Sequence, residues 1–198
     1  MGRIVVAALG DSITAGSPLW DPDPGVRSTI ESLNERSQWQ WWAARCDPRL
    51  DLKNHGVYGE RTDQIADRLE HAARGADVLV VQGGINDVVQ SRSPEEAART
   101  LGRMIERAQT LGLAVAIADV LPWNCAEAQA AAAIDRLNEL IRAIAEERDV
   151  PCLPFHDTLV DPTNGTRMRP GLCDDGDHPS IAGYRLLGER AFRLPDGL

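Results

Sequence analysis

Ser12 stands directly behind an apolar run, Ile4-Val5-Val6-Ala7-Ala8-Leu9, and near the other end of the chain His178 follows Asp175 by three residues. A serine hydroxyl is a weak nucleophile until a base takes its proton, and an imidazole is the usual base. The imidazole in turn needs a carboxylate to hold its tautomer and stabilise its cation. A three-residue spacing lets one turn put Asp175 and His178 on the same side. Charge developing on a carbonyl oxygen needs preset donors, which a glycine loop's N–H or an asparagine amide can supply. Two such loops occur, His55-Gly56-Val57-Tyr58-Gly59 and Gln82-Gly83-Gly84-Ile85-Asn86-Asp87. Plainer roles are open to the same residues. Ser12 suits a helix N-cap with Asp11 in the turn, Asn86 a cap after its strand, and Asp174, Asp175 and Asp177 a solvated acidic loop. Asp87 reads as a helix cap or, the reading we favour, a support for the serine loop. His55, His71 and His156 have no matched neighbours and read as surface or structural.

For these groups to meet, several strand ends must converge. Ile4 to Leu9, Val78-Leu79-Val80-Val81 and Ala114 to Ala118 are short apolar runs that predict buried strands. Leu50 to Asn54 alternates apolar and polar residues, and Val150 to Phe155 carries Pro151 and Pro154, so both belong at sheet edges. Between them lie helical stretches. Ser37-Gln38-Trp39-Gln40 matches a capping box and starts a helix to about Cys46, with Trp39, Trp41 and Trp42 packing. Thr62-Asp63 opens another, whose Ile65, Leu69 and Ala73 share a face before Gly75 closes it. Ser93-Pro94-Glu95-Glu96 starts a third with Ala97, Leu101, Met104, Ile105 and Ala108 inward, ended by Gly112. A long alanine-rich helix bears Leu137, Leu140, Ile141 and Ile144, and a last one follows Pro179. Residues 17 to 37 and about 156 to 178 read as loops.

Strand and helix alternating five times predict an α/β fold, a three-layer α/β/α sandwich on a five-stranded parallel sheet. The two edge strands favour the flavodoxin-like order 2-1-3-4-5, with a ligand crevice beside the first strand. Residues 1–198 read as a single domain. Trp20, in the loop leaving Ser12, and Trp123, after the fourth strand, are the candidate substrate-contacting side chains.

The totals exclude several classes. A formal net charge of −9 with no offsetting basic run argues against nucleic acid or an anionic membrane surface as partner. No apolar run approaches the roughly 20 residues that span a bilayer, and no signal-peptide layout opens the chain, so a cytoplasmic protein is expected. Cys46, Cys125, Cys152 and Cys173 lack zinc or disulfide-scaffold spacing and read as free, mostly buried thiols. In an oxidising compartment Cys125 and Cys173 would be the pair to bridge. The acidic loop with His178 has no second ligand cluster, so no metal and no cofactor is expected. The first turn lacks the lysine and the glycine spacing of a P-loop, and no G-x-S-x-G elbow is present.

Four blocks in order give the chain a resemblance: Gly10-Asp11-Ser12-Ile13, Asn54-His55-Gly56-Val57-Tyr58-Gly59, Gly84-Ile85-Asn86-Asp87 and Asp175-Gly176-Asp177-His178. Together they resemble the GDSL-type, or SGNH, hydrolases over nearly the full length. The resemblance implies Ser12 as nucleophile, His178 as acid and base, and Asp175 as its orienting carboxylate. It implies an oxyanion hole from the N–H groups of Ser12 and Gly59 and the Asn86 amide. Ile13 replaces the leucine of the family's name, and Glu60 and Arg61 separate Gly59 from Thr62, which leaves Gly56 open as the second donor. The implied activity is hydrolysis of an ester, whether of a short acyl chain, an acetylated carbohydrate, a lysolipid or a thioester, through an acyl-enzyme. The alternative is a non-catalytic doubly wound module that binds a small molecule or phosphate.

Overall fold

A computed structural model describes residues 2–195. Its central sheet contains β1 (Ile4–Gly10), β2 (Leu50–Gly56), β3 (Val78–Val81), β4 (Ala114–Ala118) and β5 (Cys152–Leu153), all parallel, in the order β2-β1-β3-β4-β5. The expected α/β/α architecture and strand order are therefore present. Successive side chains of a strand face opposite ways, and β1 shows it: Ala7 and Leu9 enter one core, Val6 and Ala8 the other.

The first core is closed by α4 (Thr62–Asp67), α5 (Leu69–Ala72), α7 (Pro94–Thr110) and α8 (Ala128–Glu147). Ser93 caps α7 through the N–H groups of Glu95 and Glu96, as its sequence predicts, and the five inward residues named for it are all buried. The second core is closed by α3 (Trp39–Cys46), α9 (Phe155–Leu159) and α10 (Ile181–Leu186), which runs on as a π-helical turn, Leu187–Ala191. Trp39 is its centre, fully buried between Phe155 and Phe192. Truncating so large a side chain typically costs about 3–5 kcal/mol.

Several expected boundaries move. Ser37 does not cap α3. The helix starts at Trp39, Ser37 Oγ is buried without a partner, and the Gln40 amide that would complete the box donates instead to the Thr14 carbonyl at 2.8 Å. The helix after Thr62 breaks in two at Arg68, whose guanidinium is spent on other elements. The loop from 17 to 37 contains one helical turn, α2 (Pro24–Arg27), capped by Asp23. β5 is only two residues long because Pro154 leaves extended geometry at ψ 62° and α9 starts at once. The stretch after 156 holds α9 and a small antiparallel ribbon, β6 (Val160–Asp161) with β7 (Asn164–Met168). No helix among the described residues is long and apolar enough to cross a membrane.

Candidate active site

β1 ends at Gly10 and turns straight into α1 (Ser12–Ala15). Asp11 caps this helix by accepting the Ile13 N–H at 2.9 Å, and Gly16, at φ 103°, ends it. Ser12 thus occupies the first helical position, where its own N–H has no carbonyl four residues back. Burial pushes the Asp11 carboxyl up to about 6, against the opposing pull of the Ile13 N–H. α1 lies so close to β2 that a Cβ on Gly56 would stand 2.0 Å from the Ala15 nitrogen. Asn54 sews the same junction, donating to the Ala15 carbonyl and accepting the Gly56 N–H. With its N–H so used, Gly56 is not a free donor.

Gly59 sits at φ 77° beyond β2, beside Glu60. Arg68 pins this loop: its guanidinium pairs with Glu60 at 2.6 Å and donates to the carbonyls of His55 and Gly10. Asn86 lies on the first turn of α6 (Ile85–Val89), a short helix where a loop was expected. Its amide donates to the Glu60 carbonyl at 2.9 Å, and an asparagine amide has a second N–H to spare. Asp87 is fixed differently from expectation. Its buried carboxylate accepts the N–H and hydroxyl of Thr62, both at 2.9 Å, so it caps α4 and ties the Gly59 loop to α6 rather than supporting the serine turn.

The remaining groups come from the loop before α10. His178 Nε2 is 3.1 Å from Ser12 Oγ, and His178 Nδ1 is 2.8 Å from Asp175 Oδ2. Asp175 Oδ1 also accepts the N–H groups of Asp177 and His178, so one carboxylate both shapes the turn and faces the ring. Burial raises the Asp175 pKa, but the His178 N–H, the His178 ring and the Asp177 N–H outweigh it and hold the carboxyl below its usual range.

Ser12, Gly59, Asn86, Trp123 and His178 line one cavity of about 160 Å³, with Tyr58 at its rim. The Tyr58 ring stands 6.0 Å from that of His178, within the range of a paired aromatic contact. Trp123 is held by its Nε1–H donating to Asp177 at 2.7 Å, and its loop is fixed by Asn138, which bonds both polar groups of Val120. Trp20 is not among the lining residues; its ring packs under the Arg27 guanidinium, 4.8 Å away. Arg68 and Asn138 were not singled out by sequence, Tyr58 appeared only within its glycine loop, and Asp177 only as a residue of the acidic loop. For Arg68 the signal was faint, an arginine eight residues after Glu60.

All four cysteines are free, and two, Cys46 and Cys125, are exposed rather than buried because they end α3 and sit on the Trp123 loop. Cys125 Sγ would lie 2.6 Å from a Cβ on Gly176, so a glycine at φ 93° is required there. Among the described residues, no group of three or more His, Cys, Asp or Glu side chains is placed to hold a metal ion.

The model of the GDSL-like lipase/acylhydrolase family matches residues 8–186. No curated protein matches. Among solved structures, the chain is similar to a protein assigned to the lipolytic G-D-S-L family from Desulfitobacterium hafniense, with 22% identity and a TM-score of 0.76 over 94% of this chain and 97% of that one. A member of the lipolytic G-D-S-L family from Veillonella parvula gives 19%, 0.75, and 94% of each chain. An acetyl xylan esterase from Geobacillus stearothermophilus gives 19% and 0.71 over 96% of this chain and 94% of that one. At these identities the likeness speaks for the fold.

Proposed function

The chain belongs to the GDSL-like lipase/acylhydrolase family, and from that premise we propose that it hydrolyses carboxylic esters through an acyl-enzyme on Ser12. The observation that carries this reading is the unbroken relay from Ser12 Oγ to His178 Nε2 and from His178 Nδ1 to Asp175.

Ser12 Oγ attacks the ester carbonyl carbon while His178 Nε2 takes the hydroxyl proton, and Asp175 stabilises the imidazolium through Nδ1–H. The carbonyl oxygen becomes an oxyanion and meets the N–H of Ser12, the N–H of Gly59 and the spare N–H of Asn86. Collapse breaks the bond to the alcohol oxygen, which leaves with the Nε2 proton. Water then repeats the sequence: His178 takes its proton, the hydroxide adds to the acyl carbon, and Ser12 departs reprotonated. A net charge of −9 favours a small ester over nucleic acid as the partner of this site.

The test is labelling by a fluorophosphonate, with 4-nitrophenyl acetate turnover measured on the same protein and on Ser12→Ala. We expect stoichiometric label and turnover in the wild type. In the variant we expect no label, turnover lower by about 10⁴–10⁶-fold and an unchanged thermal midpoint. An unlabelled, inactive wild type would instead support a binding module.

A further inference from the structure

Beside the catalytic cavity lies a second space, a groove of about 440 Å³. Val89 and Trp123 line both, so the two spaces meet across that pair of side chains. The catalytic side is small: its 160 Å³ is about five times the ~30 Å³ that one molecule occupies in liquid water. With the scissile carbonyl seated there, room remains for a short acyl chain and not for a long one.

The direction of the groove follows from the path of the proton. His178 must hand its proton to the departing alkoxide, so the alcohol part lies on the His178 side. Trp123 stands on that side, bonded to Asp177, the residue before His178. An alcohol too large for the cavity therefore runs past Trp123 and Val89 into the groove.

The groove's chemistry narrows the alcohol. Its lining is mixed: Val88, Val89, Pro94, Trp123 and two alanines form apolar surface, and Ser91, Arg92, Glu127 and Gln129 interleave polar side chains with it, so an occupant must offer both an apolar face and hydrogen-bonding edges. Arg92 is paired with Asp63 at 2.9 Å and Glu127 adds a negative charge, so no surplus cation awaits a phosphate or carboxylate. An aliphatic tail would strip water from these groups without replacing its hydrogen bonds. A neutral ring bearing hydroxyls satisfies both constraints, with its edges on the polar groups and a face on Trp123. Ser91 is one of the groove's lining residues. It sits at φ 57°, just past the end of α6, where glycine is the usual residue. Its side chain is the smallest of the polar ones that line the groove.

Resting on the esterase reading above, we propose that the groove beyond Val89 and Trp123 is the alcohol subsite, which takes a neutral polyhydroxylated alcohol of sugar size, while the cavity beside Ser12 takes a short acyl group. The experiment measures kcat/KM for 4-nitrophenyl acetate, 4-nitrophenyl octanoate and a monoacetylated disaccharide. The wild type should prefer acetate to octanoate by at least about tenfold, the discrimination that a few excess methylenes bring. Replacing the exposed pair, Glu127→Leu with Gln129→Leu, should lower the ratio of disaccharide acetate to 4-nitrophenyl acetate by about tenfold, the loss of one or two net hydrogen bonds. Ser91→Gly should lower the same ratio by roughly threefold with the thermal midpoint held or raised, which separates a lost contact from a damaged fold. A ratio unmoved by both variants, or octanoate preferred by the wild type and lost in the variants, would overturn the subsite assignment while leaving the esterase intact. A wild type inert toward 4-nitrophenyl acetate would overturn the esterase reading, and this one with it.

Discussion

Ser12 is 5% exposed and leaves a strand end that is bonded on both sides, whereas the Asp175 side chain is 34% exposed on a loop that belongs to no sheet. Around the serine, each constraint comes from a distant element. Asn54 holds the Ala15 carbonyl, Gln40 the Thr14 carbonyl, and Arg68 the Gly10 carbonyl, across 39, 26 and 58 residues. Around the acid and base, most constraints are local. Asp175 accepts N–H groups two and three residues on, and apart from the contact of His178 with Ser12 itself, Trp123 reaches in by a hydrogen bond from far along the chain, to Asp177. The difference matches the chemistry. Under the proposed mechanism, the nucleophile and oxyanion donors have to meet a transition state at fixed positions, while the imidazole has to serve serine, leaving group and water in turn.

The comparison breaks most visibly at its charged pair. Asp175→Asn keeps an oxygen to accept the turn's N–H groups but presents the ring with the wrong partner, so turnover should fall by about 10⁴-fold with the fold intact. Kinetics and a melting curve on the same sample check it. Equal damage from Asp177→Asn would mean that the whole loop, rather than this carboxylate, matters.

Around the strand ends the next largest effect belongs to Asn86→Ala. One oxyanion donor is worth about 10²–10³ in kcat, or roughly 2.7–4 kcal/mol. The lost bond to the Glu60 carbonyl adds a stability cost of about 0.5–1.5 kcal/mol, because the same amide holds the Gly59 loop. A variant that loses stability but keeps its kcat would make Asn86 a tether alone.

Asp11 reports on burial at the same strand end. Its carboxyl titrates near 6 in the fold against an ordinary value of 3.8, so between those pH values the folded chain holds a proton that the unfolded chain has released. Stability from this group is therefore present below about 3.8 and lost as pH rises through 6. Asp11→Asn keeps an acceptor for the Ile13 N–H and should flatten that window. Above pH 6 it should be the more stable protein, by on the order of 3 kcal/mol. Denaturant midpoints at pH 4 and 7 decide it; a difference that does not grow with pH would show that Asp11 is not held protonated.

How much of this was legible follows the same division. Strand ends and glycine turns announce themselves locally, so the sheet order and the meeting of Ser12, Asp175 and His178 could be read from short blocks. The sewing could not: nothing near Asp87 points to Thr62, 25 residues back, and the capping box at Ser37 failed because Gln40 found a better partner in Thr14. The β6–β7 ribbon has a local signal as well, because Asp161-Pro162-Thr163-Asn164-Gly165 is a turn sequence between its two short strands. Trp20 misled because its place next to the serine loop in sequence does not put it at the cavity in space.

The smallest expected effect tests the hydrogen bond that ties the Trp123 segment to the loop carrying the acid and base. Asp177 accepts the Trp123 Nε1–H at 2.7 Å, joining the acid–base loop to the segment that Asn138 fixes over β4. The bond is exposed to water, so Asp177→Ala should cost under about 1 kcal/mol of stability. If the tie limits how far His178 wanders, the loss should appear in kcat rather than in KM, by a few-fold, since misplacement weakens the reacting geometry more than ground-state binding. Asp177→Asn keeps an acceptor for the indole and should restore most of that kcat. A structural role alone would lower the midpoint in both variants and leave kcat untouched. Equal kcat loss in Asn and Ala would instead point to the charge of Asp177, acting on the imidazolium through space rather than through Trp123.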